Sequence, residues 1–386
     1  MAPHLAGEIT HPSSDGIVFG VGSCRQRLAE LLERTGIHRA FLVTTPSIAS
    51  SSLLETARAS IGQRLVGEFV GSRAQTPKTI VLQVAEQVRE AKADGLISLG
   101  GSSVVDVTKG AALVLAAGAN LDPFLANAAS PADAVAALAP RLPHIALPTT
   151  LSGAEYSPYV GITDEAKHEK NIYLDKAVAP RWVLLDAELS LHTPPALWAA
   201  TGMKLLADCI EEICSPRGNP YTEALSLSAL NMVFHGLLPS LASPLDCEVR
   251  GRILFASFMS AMNFSTTSLG LVAALRHPLG ARGVAHGVAS TIVLPHVLNW
   301  NRTSIEAKLV HVSTELGLGG GPERLVEAVQ SMTRDLKLPT QLREVGVAQN
   351  DFAAIAEHAS HSFSIATNPR PVKDPSELVE VLDNAW

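Results

Sequence analysis

The chain has 386 residues, of which 47% are hydrophobic and 17% charged, with a net charge of −7. This length predicts two domains, and the composition excludes a disordered protein. The acidic balance gives no basic surface for nucleic acid. The N-terminal residues show no signal peptide, and no apolar run approaches the roughly 20 residues that span a bilayer. Four scattered cysteines without CxxC spacing indicate reduced thiols and a cytoplasmic protein.

The first half of the chain alternates apolar runs with amphipathic segments. Strands are predicted over residues 16–20, 40–44, 65–69, 95–99, 144–148 and 182–186. Helices are predicted over residues 24–35, 52–61 and 78–93. Helices between apolar strands imply βαβ units and a parallel sheet with right-handed crossovers.

Strand signals are nearly absent after residue 190, where long helical patterns follow. Helices are predicted over residues 196–215, 220–238, 246–266, 288–300, 305–316, 323–336 and 377–385. We therefore predict an α/β, Rossmann-like nucleotide-binding domain over residues 1–190 and an all-helical domain over residues 191–386.

Three short stretches carry the chemistry-bearing residues. They are Leu99-Gly100-Gly101-Ser102-Ser103-Val104-Val105-Asp106-Val107-Thr108-Lys109, Leu147-Pro148-Thr149-Thr150-Leu151-Ser152-Gly153-Ala154-Glu155, and His277-Pro278-Leu279-Gly280 followed by His286-Gly287. Glycines between a strand and a helix let the backbone approach a pyrophosphate, although a tight turn alone requires the same residues. Together the stretches resemble the iron-dependent (group III) alcohol dehydrogenase superfamily, and within it the maleylacetate reductase branch. The resemblance runs from about Gly16 to Trp386.

This resemblance implies a dehydroquinate synthase-like architecture, with the active site in the cleft between the two domains, and a homodimer. It implies that NADH or NADPH binds through ten residues: Gly100, Gly101, Ser102, Ser103, Asp106, Thr149, Thr150, Ser152, Lys170 and Thr45. Two positions depart from the family pattern, because Ser102 replaces a glycine and Ala154 replaces a serine. Asp106 and Lys170 also have plainer interpretations, as a helix N-terminal charge and a surface lysine.

The choice between NADH and NADPH follows from charge after the second strand. NAD-selective relatives place an aspartate there, where it bonds the ribose 2′-hydroxyl and repels a 2′-phosphate. This chain has Thr45 at that position. A neutral residue neither repels nor clamps the phosphate, so both cofactors are expected to bind.

The metal positions depart most from the resemblance. The family's one aspartate and three histidines fall at Lys204, Asp208, Ala273 and His286. A divalent transition metal needs three or four protein ligands, and Asp208 with His286 supplies at most two, so we predict no metal. Lys204 and Asp208, four residues apart on a helix, could form an ion pair that merely fills the site. Alternatively, Lys204 supplies the positive charge that the metal would bring.

Other residues in the third stretch are candidates for substrate contact. In the family, the histidine at His277 lies beside the nicotinamide and can relay a proton, although a lone histidine is more often structural. Arg276 and Arg282 would suit a carboxylate through bidentate pairing. Cys209 and Cys214 are interpreted as inert buried thiols.

These residues predict a metal-independent, NAD(P)H-dependent oxidoreductase that reduces a small unsaturated or oxo carboxylic acid. His277, with Asp208 as a second candidate, would donate the proton, and Lys204 or Arg276 would hold negative charge on the substrate. His286 would complete the catalytic set. The alternative is a repurposed, non-redox biosynthetic enzyme (a cyclase, lyase or condensing enzyme), and an inactive binding protein is a third possibility. Neither a nucleic-acid nor a membrane partner is expected.

Overall fold

A six-stranded parallel sheet organises the first half of the chain, in a computed structural model that describes residues 14–126, 141–167 and 169–386. Its strands are β1 (Gly16–Phe19), β2 (Ala40–Thr44), β3 (Leu65–Val70), β4 (Gly95–Gly100), β5 (His144–Pro148) and β8 (Trp182–Leu185). Their order across the sheet is β1-β8-β5-β4-β2-β3, and every pairing is parallel. The predicted parallel sheet and its six strands are confirmed, each to within one residue at either end.

A separate two-stranded sheet was not predicted. β6 (Tyr159–Asp164) pairs antiparallel with β7 (Glu169–Leu174). The sequence of β7, Glu-Lys-Asn-Ile-Tyr-Leu, lacks the continuous apolar character of the other strands because most of its residues are only half-buried. Periodicity therefore gives little signal for this hairpin.

Helices cover both faces of the main sheet. They are α1 (Ser23–Thr35), α2 (Pro46–Ala49), α3 (Ser52–Ile61), α4 (Lys78–Glu90), α5 (Ser102–Ala117) and α6 (Ala187–Ser190). Successive residues of β2 point to opposite faces. Phe41 and Val43 join one hydrophobic core, and Leu42 joins the other. Gly36 closes α1 in the left-handed conformation (φ 75°), with its N–H on the carbonyls of Glu33 and Leu32, as the sequence predicts for a helix C-cap.

The remaining described chain is helical. It contains α7 (Pro195–Cys214), α8 (Pro220–Ala242), α9 (Cys247–Ala261), α10 (Phe264–Thr267), α11 (Leu271–Ala281), α12 (His286–Glu315), α13 (Pro322–Asp335), α14 (Phe352–Ser360) and α15 (Ser376–Asn384). The helices differ from the prediction in three ways. The predicted helices 288–300 and 305–316 are one continuous helix, α12. The predicted helix 246–266 is broken between α9 and α10, and α11 and α14 were not predicted at all.

The described chain divides into two compact units. The α/β unit contains residues 14–194 together with Ser243–Phe255, and the helical unit contains Pro195–Ala242 with Ala256–Trp386. The segment Ser243–Phe255 lies inside the predicted helical domain but packs with the α/β unit. The Arg250 guanidinium, for example, donates to the Ser190 carbonyl (2.8 Å).

Among the described helices, α8 is long and apolar enough to cross a membrane by length and composition alone, and the bent pair formed by Cys247–Thr267 and Leu271–Ala281 would pass as a second. One or two such helices are weak evidence for a membrane protein, because the core helix of a globular protein can have the same length and apolar composition.

Candidate active site

The glycine turn of the first stretch follows β4 and precedes α5. Gly100 has φ 155°, and a Cβ there would lie 2.5 Å from Val104 Cγ2. A Cβ on Gly101 would lie 3.0 Å from Thr150. The first N–H groups of α5 have no intrahelical acceptor, and they lie at the positive end of a 16-residue helix dipole. Ser102 does not have a positive φ, so a side chain is tolerated at this position, where the family has glycine.

The two threonines of the second stretch line this turn. Thr149 donates its N–H to the Gly100 carbonyl (3.1 Å), and its own carbonyl accepts from the Thr193 hydroxyl (2.6 Å). Thr150 is 4% exposed, and its hydroxyl makes no hydrogen bond to any residue in the described ranges. Buried hydroxyls are normally hydrogen-bonded. An unpaired buried hydroxyl beside a helix N-terminus therefore fits a bound phosphate or nicotinamide.

Lys109 holds the loop of the second stretch in place. Its side chain is fully buried, and the ammonium donates to the carbonyls of Ala154 (2.9 Å), Ser157 (3.2 Å) and Tyr159 (2.6 Å). It also lies 3.0 Å from Asp106 Oδ1. Lys109 is therefore a structural cation, and it fixes one carboxylate oxygen of Asp106. Ser152 lies half-buried in the same stretch of chain.

Lys170 extends from β7 toward the same region. Its ammonium donates to the Gln75 side-chain oxygen (3.1 Å). Burial lowers the pKa of Lys170, and the negative charge of Asp106 opposes that effect. A partly desolvated ammonium beside a carboxylate is not the solvated surface lysine of the plainer interpretation. Gln75 was not predicted, because a lone polar residue in a loop carries no sequence signal.

Thr45 lies at the carboxyl end of β2, next to β4 in the sheet. Its hydroxyl caps α2 by accepting from the Ile48 N–H (3.3 Å) and bonds to the Ser47 hydroxyl (2.9 Å). A Cβ on Gly100 would lie 3.5 Å from Ile48 Cδ1. The structure thus brings Thr45 and the glycine turn to one edge of the sheet, where nucleotides bind in open α/β folds.

In the helical unit, Asp208 lies between two cations. Its carboxylate is fully buried, with Oδ2 at 2.5 Å from Lys204 Nζ and Oδ1 at 2.8 Å from the Arg276 guanidinium. Burial would raise the pKa of Asp208, but the charges of Arg276 and Lys204 outweigh it and hold the pKa below its ordinary value. The predicted pair of Lys204 with Asp208 is therefore present, and Arg276 completes it.

The predicted role of Arg276 requires a correction. The spacing of Arg276 predicts a clamp for a substrate carboxylate, but its side chain is only 6% exposed and pairs with Asp208. It makes a second contact with the Ser290 hydroxyl (3.4 Å). Arg276 therefore acts as a counter-charge. Arg282 lies instead beyond the end of α11, where it donates to the Pro278 carbonyl (3.2 Å) and pairs with Asp351 (3.5 Å).

Two further buried carboxylates on α7 were missed. Glu211 accepts from the N–H groups of Val272 (2.7 Å) and Ala273 (3.2 Å) at the start of α11, and burial raises its pKa to about 7. Glu212 accepts from the hydroxyls of Ser226 and Ser260, and burial raises its pKa to about 8. Glu-Glu in a helix is typical of a solvated face, so the sequence gives no hint of their burial.

The two histidines of the third stretch lie together. His277 on α11 and His286, the first residue of α12, have ring centroids 5.4 Å apart and nearly perpendicular planes (88°). A Cβ on Gly280 would lie 2.8 Å from His286 Nε2, and one on Gly287 would lie 2.4 Å from the Ala200 carbonyl oxygen. These glycines let α12 approach α7 and leave space for the His286 ring.

The described ranges contain no group of three or more His, Cys, Asp or Glu side chains that could hold a metal ion. At the position that the resemblance gives to a metal, each oxygen of Asp208 contacts a cation. A divalent ion bound to Asp208 would be repelled by both of these cations. The residues at this position do not fit a divalent metal.

Comparisons with known proteins agree with this architecture. Two family descriptions match the chain: "Iron-containing alcohol dehydrogenase" over residues 14–187, and "Fe-containing alcohol dehydrogenase family, C-terminal" over residues 198–386. Alcohol dehydrogenase 4 of Schizosaccharomyces pombe is 30% identical over 370 residues, covering 94% of this chain and 86% of that protein.

Solved structures share the fold at lower identity. Maleylacetate reductase from Agrobacterium tumefaciens superposes with a TM-score of 0.80 at 23% identity, covering 99% of both chains. Sulfoacetaldehyde reductase from Bifidobacterium kashiwanohense, solved in complex with NAD⁺, superposes with a TM-score of 0.85 at 21% identity, again covering 99% of both chains. At these identities the likeness supports the fold alone.

Proposed function

Because the chain belongs to the iron-containing alcohol dehydrogenase family of oxidoreductases, we propose that it is an NAD(P)H-dependent reductase that works without metal. Its proposed substrate is a small unsaturated or oxo carboxylic acid, as in maleylacetate reductase. The proposal includes a homodimer, which the resemblance implies, and a cytoplasmic location, which the scattered cysteines indicate.

The observation that carries this proposal is the ion cluster of Lys204, Asp208 and Arg276. Two cations flank the buried carboxylate of Asp208, and Lys204 is the more exposed cation at 14%. A fixed cation can stabilise the negative charge that develops on a carbonyl or enolate oxygen during reduction. Arg276 pairs with the other carboxylate oxygen, so the charge of Asp208 is shared between two cations and offsets that of Lys204 only in part.

The nucleotide-contacting residues support a retained cofactor. The glycine turn, the N-terminus of α5 and the unpaired Thr150 hydroxyl together suit a dinucleotide diphosphate. When bound, the reduced nicotinamide supplies hydride to the substrate. His277 donates the proton that completes the reduction. His286 packs against its ring and holds it in place.

The test measures cofactor binding and turnover on the purified protein. NADH and NADPH are titrated by fluorescence, and their oxidation is followed at 340 nm with a panel of 2-oxo, 4-oxo and enoate acids, in the presence and absence of EDTA. We expect micromolar cofactor binding and EDTA-resistant turnover of at least one acid. Absence of binding at millimolar cofactor would overturn the proposal and favour a non-redox enzyme on this fold. Turnover that is lost with EDTA and restored by iron or zinc would overturn its metal-free part.

A further inference from the structure

A strained turn lies beside the Lys170 ammonium in the α/β unit. Gln75 (φ 67°) and Thr76 (φ 53°) are consecutive non-glycine residues in the left-handed conformation. That conformation costs on the order of 1 kcal/mol or more per residue. Strain of this kind persists only where surrounding contacts impose it, and it is concentrated at functional sites.

Thr163 on β6 imposes the conformation from the backbone side. Its hydroxyl donates to the Gln75 carbonyl (2.6 Å), and its N–H donates to the Thr76 carbonyl (3.0 Å). Both carbonyls of the strained pair are therefore fixed to one residue of the β6–β7 hairpin. Lys170 lies directly opposite Thr163 in the hairpin register.

The Gln75 side chain then reaches Lys170. Its Oε1 accepts from the ammonium at 3.1 Å. The lysine stem crosses the hairpin over Gly161, where a Cβ would lie 3.0 Å from Lys170 Cε and 3.7 Å from Asp106 Oδ2. The lysine stem therefore passes near Asp106, and the neutral Gln75 oxygen accepts from the ammonium. A neutral acceptor orients the charge without cancelling it, whereas a carboxylate at residue 75 would form an ion pair.

We propose that Gln75 is a positioning residue that aims the Lys170 ammonium at the anionic part of the nicotinamide cofactor, its ribose phosphate or diphosphate. This inference rests on the proposed function, because it requires a bound dinucleotide. The left-handed turn places the Gln75 oxygen 3.1 Å from the ammonium.

Gln75→Gly separates positioning from stability. Glycine adopts positive φ without strain, and this gain offsets the lost hydrogen bond to Lys170, so the Tm of the apo protein should change by no more than about 2 °C. The Lys170 ammonium loses its acceptor, so the Kd for NADH and NADPH should rise about five- to tenfold. Lys92→Gly is the matched control: Lys92 is exposed, with φ 50°, and this change should move Tm similarly while leaving both Kd values unchanged.

Gln75→Glu tests the neutral character of the acceptor. A carboxylate 3 Å from the ammonium should neutralise it and repel the cofactor phosphates. The Kd for NADPH should therefore rise at least as much as with Gln75→Gly, and more steeply at low salt. Gly161→Ala should also weaken binding, since its methyl group displaces the lysine stem.

The outcomes are distinct. If wild-type protein binds cofactor and Gln75→Gly binds it within twofold, the positioning role is refuted while the proposed function stands. A Gln75→Gly variant that loses binding together with several degrees of Tm would show a structural role only, and this would also refute the inference. If wild-type protein binds neither NADH nor NADPH, the proposed function fails, and the role of Gln75 fails with it.

Discussion

Replacement of Lys204 by methionine tests the proposed source of electrophilic charge. The substitution removes the ammonium and keeps the apolar stem, so that local packing is preserved. Asp208 loses one cation but retains Arg276 at 2.8 Å. The buried carboxylate is therefore never left without a counter-charge.

The structure sets the expected magnitudes. Removing the whole counter-charge of a buried ion costs about 3–5 kcal/mol, so removing one of two cations from Asp208 should cost about 1–2 kcal/mol. For a unit of this size, that cost lowers Tm by about 2–8 °C. A transition-state contact to a developing oxyanion contributes far more to rate, so kcat should fall roughly 10²–10³-fold.

The assay measures kcat per folded molecule beside a thermal unfolding curve of the same preparation. Lys308→Met is the matched control, because Lys308 also forms an ion pair, between α12 and α8, with Glu223 at 2.7 Å, but is 41% exposed. That pair should contribute less than about 1 kcal/mol and nothing to turnover. If Lys204→Met loses stability while kcat stays within about threefold of wild type, Lys204 only fills space, and the reasoning is refuted.

Three further predictions concern the cofactor, the metal and pH. NADH and NADPH should have dissociation constants within about tenfold, or about 1.4 kcal/mol. Thr45→Asp, which keeps the cap of α2, should weaken NADPH selectively, and an unchanged preference would show that residue 45 does not reach the ribose. Protein purified without added metal should contain well under one iron or zinc per chain by elemental analysis, and stoichiometric metal would contradict the fit of the Asp208 site. Burial raises the pKa of Glu212 from 4.5 to about 8, so its contribution to stability is full below pH 4.5 and is lost as pH rises through 8. At pH 8.5 the free energy of unfolding of Glu212→Gln, measured by urea titration, should therefore exceed that of wild type by roughly 2–4 kcal/mol. A difference that does not change with pH would contradict the raised pKa of Glu212.

The sheet was predictable because its four inner strands, β2, β4, β5 and β8, are buried on both faces. β4 and β5 are buried at every residue and therefore read as continuous apolar runs between helical periods. The β6–β7 hairpin was not predictable, because β7 is mostly half-buried and carries Glu169, Lys170 and Asn171. The break predicted near residues 301–304 was wrong. Asn301 is buried there and bonds to the Asn368 side chain, and this tertiary contact keeps a polar stretch helical inside α12.

The candidate site was predictable where function depends on backbone conformation. Gly100 and Gly101 have positions that exclude a Cβ, and such positions can be read from sequence as glycines between a strand and a helix. The partner of Asp208 was predictable within its helix, because Lys204 lies four residues away. Arg276 lies 68 residues away, and no spacing rule connects such a pair. The same limit hid the contact between Gln75 and Lys170, which only the β6–β7 hairpin brings together.

The ion cluster also bears on which substrates suit this protein. A divalent metal polarises a carbonyl oxygen strongly enough to stabilise an alkoxide, whereas an ammonium carries half that charge and shares it with Asp208. Stabilisation by Lys204 therefore suits an oxyanion whose charge is already delocalised, such as the enolate formed when hydride adds to an enone-like C=C bond. Under the proposed function, the unsaturated acids of the substrate panel should accordingly be reduced faster than simple oxo acids. Faster reduction of an isolated aldehyde or ketone would indicate a stronger electrophile than Lys204 provides.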